Sequence, residues 1–105
     1  MSARPIAIDF RHNGLSYHQV KRDGLITMYR VSNRAGTILG FEVAVLRIRP
    51  AGRIGDSVVP ERETYPGDED FGSSAWYYAF DHRTEAEQRF NAAVDGAPFV
   101  AGGKT

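Results

Sequence analysis

Residues 37–48, TILGFEVAVLRI, constrain this chain more than any other stretch. β-Branched or aromatic side chains stand at Thr37, Ile38, Phe41, Val43, Val45 and Ile48, and Glu42 is the one acid among them. Such a run reads as a strand near the middle of an antiparallel sheet. Alternation sets Phe41, Val43 and Val45 on one face and Glu42, Ala44, Leu46 and Ile48 on the other. Gly40 is placed to form a bulge, and Pro50 closes the strand because it has no N–H for the ladder.

The segments before this strand read as hairpins. Ile6, Ile8 and Phe10 alternate with Ala7, Asp9 and Arg11, the pattern of a half-buried strand. Asn13-Gly14 and Asp23-Gly24 are tight-turn pairs, and each is followed by another alternating run. Leu15, Tyr17 and Gln19 share one side of the first of these runs. Leu25, Thr27, Tyr29 and Val31 share one side of the second. After the central strand, residues 50–74 hold three prolines and four glycines. They read as a long ordered loop, with a short strand at 57–59 and a turn at Tyr65-Pro66-Gly67-Asp68. Residues 75–80 form the last strand, with Trp76, Tyr78 and Phe80 on one side. A helix then starts at Thr84, where Thr84 and Glu87 make the Thr-x-x-Glu of a capping box. Its apolar face is Ala86, Phe90, Ala93 and Val94, and Gly96 and Pro98 stop it.

These elements predict an α+β domain: an antiparallel meander of four to five strands with one C-terminal helix packed on a face. A partly open small β-barrel with a helix is the alternative. A chain of 105 residues fits one modest core. Residues 1–96 read as a single domain with the long loop at 50–74, and residues 97–105 as a flexible tail, with Phe99 as its one anchor. The absence of cysteine removes disulfides, thiolate nucleophiles and Cys-based metal sites. No apolar run reaches the length of a membrane span, and residues 1–20 lack a secretory core, so a cytoplasmic location is the expectation.

Catalytic chemistry finds little to use. His12, His18 and His82 fall in a turn, a strand and a helix approach, which is no ligand set. Asp68, Glu69 and Asp70 lack the spacing of a calcium loop. Asp81-His82 with Ser73 and Ser74 supplies the atoms of a triad without a nucleophile elbow. Glu61 and Glu63 have the period of one strand face and no sign of burial. The expectation is therefore no enzyme activity, no metal and no cofactor.

Charge is more informative. The net charge is zero, yet residues 1–53 carry nine basic and three acidic side chains, and residues 54–105 carry four basic and ten acidic ones. Two binding classes follow. The first is a protein–protein interaction or assembly module, as a homo-oligomer or a subunit of a larger complex, with Tyr65, Phe71 and Trp76 as anchors. The second is a nucleic-acid-binding domain using Lys21, Arg22, Arg30, Arg34, Arg47, Arg49 and Arg53, with exposed Tyr17 and Tyr29 stacking bases. Against the second stands the need of a small domain to keep its aromatic rings inside.

Ala51-Gly52-Arg53-Ile54-Gly55, together with the helix residues Glu85, Ala86 and Phe90, resembles the WGR domain of DNA-repair and bacterial regulatory proteins. The resemblance covers these two short patches alone. The tryptophan that names the domain is Ala51 here, so the function it implies, nucleic-acid binding, is not carried over to particular residues.

Overall fold

The computed structural model describes residues 3–67 and 71–96. Five antiparallel strands form the main sheet: β1 (Asp9–His12), β2 (Leu15–Asp23), β3 (Ile26–Ser32), β4 (Ile38–Val45) and β9 (Ala75–Ala79), in the order β1-β2-β3-β4-β9. The sheet stays open and does not close into the alternative barrel. One helix, α1 (Arg83–Val94), packs on β3, β4 and β9. Strands β5 (Arg47–Arg49), β6 (Gly52–Ile54), β7 (Ser57–Val59) and β8 (Arg62–Thr64) lie outside this sheet. Among the described residues no helix is long and apolar enough to cross a membrane.

Both faces of the sheet are covered along β3 and β4, and most residues of these two strands are buried. On one face Met28, Phe41 and Val43 pack with Ala86 and Phe90 of α1. Val20, Ile26, Trp76 and Tyr78 surround that cluster. On the other face Tyr17, Tyr29 and Val31 pack with Phe10, Leu15 and Tyr65. The N-terminal segment seals this second face: the Tyr29 hydroxyl donates to the carbonyl of Ala7 at 2.8 Å, and Gln19 N–H bonds the carbonyl of Ile8 at 2.8 Å.

Two bulges set which residues share a face. In β2 the pairing jumps from Gln19 opposite Tyr29 to Lys21 opposite Met28, which leaves Val20 unpaired. Lys21 therefore joins the helix face, with Nζ 5.1 Å from the centre of the Phe90 ring, and Arg22 joins the opposite face. In β4 the extra residue is Leu39, one place before the expected bulge at Gly40. Gly40 answers to a different constraint. A Cβ there would overlap the carbonyl of Tyr78 and the ring of Tyr77, whose hydroxyl crosses to the carbonyl of Leu39 at 2.9 Å.

Three expectations need correction. The run over residues 37–48 is not one strand. Val45 N–H turns to the carbonyl of Ser74 and buried Leu46 N–H to that of Leu25, each at 2.8 Å, so the chain leaves the sheet before β5. Residues 50–74 are not a loop throughout. β5 pairs with β8 and β6 with β7, which makes residues 47–64 a two-part hairpin arm interrupted near Pro50 and Pro60. The short strand expected at 57–59 is β7. The capping box does not form, because the helix begins one residue earlier, after a 3-10 turn at Phe80–His82. His82 is its N-cap and makes no side-chain capping bond, and Glu87 accepts from Arg83 Nε at 3.0 Å instead. The expected tail at 97–105 with Phe99, the Pro98 stop and the acidic triplet Asp68, Glu69 and Asp70 lie outside the described residues.

Candidate functional site

Four aromatic rings organise the sheet face away from α1. Phe10 stacks on Tyr17 at 4.8 Å and 7°, and Tyr65 meets Phe10, Tyr17 and Tyr29 edge-on at 5.4, 5.9 and 5.5 Å. Beside them Glu42 is buried and accepts the Tyr65 hydroxyl at 2.8 Å. Burial, with this carboxylate as the next cause, pushes the Tyr65 hydroxyl far above the ordinary tyrosine range. An open cleft of about 480 Å³ lies over the cluster, walled by Phe10, Tyr17, Tyr65 and Phe71 with Glu42 and His12.

The expected anchors separate. Tyr65 and Phe71 both line this cleft. Trp76 lies on the opposite face, half-buried beneath the Arg89 guanidinium at 4.8 Å.

The expected nucleic-acid surface is dispersed. Tyr17 and Tyr29 are not exposed stacking platforms but buried members of the ring cluster, because this face is covered by the N-terminal segment and Tyr65. Lys21 lies over Phe90 on the helix face. Arg22 is tied to Glu63 at the base of the arm: Nη1 donates to Oε1 at 2.8 Å and Nη2 to Oε2 at 2.5 Å. That hydrogen-bonded guanidinium, with a further bond from the Ile6 N–H, holds the Glu63 carboxyl below its ordinary range. Arg47, Arg49 and Arg53 ride on the exposed arm. Arg30 and Arg34 stand at the opposite end of the sheet, since β3 runs from the arm toward the turn at residues 33–37.

Arg30 and Arg34 meet a residue that sequence reasoning passed over, Arg11. Arg11 lines one hollow of about 390 Å³ with Arg34 and an adjoining one of about 370 Å³ with Arg30. Only the register reveals this grouping, because it sets Arg11 opposite Ser16 and Ser16 opposite Ser32.

The arm is the other exposed feature. Every residue of β5 and β6 is exposed, and among the described residues the largest exposures of big apolar side chains are Ile54 at 66% and Val58 at 73%. Arg53 faces Val58 and Ile54 faces Ser57, so these two apolar side chains stand on opposite faces of the ribbon.

Among the described residues no group of three or more histidines and carboxylates is placed to hold a metal ion. No family model matches this chain, the two patches that resemble the WGR domain notwithstanding, and no curated protein and no solved structure matches it either.

Proposed function

We propose that the protein is an assembly module that associates with a second copy of itself through the arm at residues 47–64. The observation behind this reading is the apolar tip of the arm, where Ile54 and Val58 point into solvent from opposite faces. A two-stranded ribbon with three-residue ladders is marginal in water on its own. An exposed ribbon edge is also a template for pairing with another chain. Contact between two arms would bury the tip and extend the ladder together. The excess of basic groups in the first half and of acidic groups in the second lets two zero-charge chains meet with opposite signs facing.

Light scattering at two protein concentrations tests the reading, with an oligonucleotide pool added in a parallel sample. The chain alone weighs 11.6 kDa. The expected result is a mass above this that rises with concentration, ignores the oligonucleotides and returns to the monomer in an Ile54→Asp, Val58→Asp double variant. A monomer at every concentration would overturn it.

A further inference from the structure

We propose that the concave surface shared by Arg11, Arg30 and Arg34 is a binding site for the phosphate group of a small anionic ligand. The surface lies on the helix-side face of the sheet, where β1 and β2 extend beyond the strands β3, β4 and β9 on which α1 packs. One row across it runs Arg11, Ser16, Ser32, and the next runs Asp9, His18, Arg30. Arg34 approaches from the turn between β3 and β4. The Asn33 side chain holds this turn by accepting the N–H groups of Ala35 and Thr37 at 2.9 and 3.0 Å. The guanidinium lies against the neighbouring turn, where a Cβ on Gly14 would meet its Nη2 at 3.6 Å.

Three guanidinium groups here have no ion-pair partner among the described residues. The one carboxylate lining the two hollows, Asp9, is held by His18 Nδ1 at 2.6 Å. Arg30 Nε is buried and has no hydrogen-bond partner among the described residues. Placing like charges together is unfavourable, and an oxyanion between them relieves it. Guanidinium forks match the oxygens of phosphate in spacing and plane, and the hydroxyls of Ser16 and Ser32 add neutral donors. Phe10 and Tyr17, which border this surface, belong to the stacked cluster on the other face, and Phe41, opposite Arg30, is buried beneath α1. His12 and His18 line the hollows, but neither has a Phe, Tyr or Trp ring beside it on this face to make a stacking platform, so the surface favours a compact phosphate or diphosphate over a strand of nucleic acid.

Calorimetric titration of the full chain with inorganic phosphate and pyrophosphate, at constant ionic strength in chloride, tests this. Arginine side-chain NMR spectra recorded alongside report on Arg30 Nε–H. The expected result is saturable binding, tighter for pyrophosphate, with a shift of the Arg30 Nε–H signal. Arg30→Gln and Arg34→Gln should each weaken it by about tenfold or more, and Arg53→Gln on the arm should leave it unchanged. Arg34 is exposed in a turn, so its variant carries the test even if Arg30→Gln fails to fold. Absence of saturation, equal weakening by Arg53→Gln, or Arg34-dependent binding of a single-stranded oligonucleotide without binding of pyrophosphate would each overturn the proposal.

Discussion

At the scale of single residues, the Arg22–Glu63 pair fastens the arm to the sheet. Both oxygens of Glu63 receive guanidinium N–H groups, and Oε1 also receives the Ile6 N–H. One carboxylate thus ties β2, β8 and the N-terminal segment together. Its side chain is 10% exposed, so its partners would be left unpaired in a largely dry site if it were removed. Glu63→Gln should lower stability by about 2 kcal/mol at neutral pH, measured by urea denaturation. The pH dependence has a definite sign. The folded-state pKa lies below the ordinary 4.5, so the contribution of Glu63 is complete above that value and is lost as pH falls through the depressed one. The gap between the two proteins should therefore close in acid. A gap that persists across the acid range would mean that the charge of Glu63 does not hold the arm.

At the scale of elements, the helix depends on its docking. Twelve residues are marginal as an isolated helix, and Phe90 is the largest side chain that α1 buries, against Met28, Phe41 and Val43. Phe90→Ala should cost about 3–5 kcal/mol in equilibrium denaturation, and a loss below about 1 would contradict a docked helix. The elements that sequence reveals best share this dependence on a single local signal. Alternation places every residue of β3 on its correct face, and Asn13-Gly14 forms the expected tight turn, with φ of 53° and 79°. What alternation misses needs a partner strand to define it. Carried through β2 without interruption, it would set Arg22 beside His18 and Arg30, whereas the bulge at Val20 sends Arg22 to Glu63. The arm escaped because its ladders are three residues long, too short for a period to show. The one usable signal was Gly55-Asp56, a two-residue turn between Ile54 and Ser57 in which Gly55 takes φ 58°. The grouping of Arg11 with Arg30 and Arg34 was equally hidden, because it joins two strands and a turn across β2.

At the scale of the whole molecule, stability is unevenly distributed. The covered sheet holds the two apolar clusters, while the distal arm has exposed side chains on both faces and only short ladders. Hydrogen exchange should therefore find β3 and β4 amides the most protected and those of β6 and β7 fast in dilute solution. Slowing of the β6 and β7 amides as concentration rises would accompany arm-to-arm contact. Protection of the arm equal to that of β3 in the monomer would show a ribbon stable by itself and remove the need for a partner. The unpaired Val20 has a different consequence, for the lengths of chain this fold can accept. From Ser16 to Asp23, β2 spends eight residues opposite the seven of β3, so it holds one in reserve. A deletion of Val20 itself closes the ladder and leaves Tyr17, Lys21 and Arg22 facing as they do now. In β3 every residue from Ile26 to Ser32 is paired on both sides, and the same deletion would turn part of the strand inside out. Tolerance to a change of length thus lies at the bulged residues, Val20 in the second strand and Leu39 in the fourth, and the third has none.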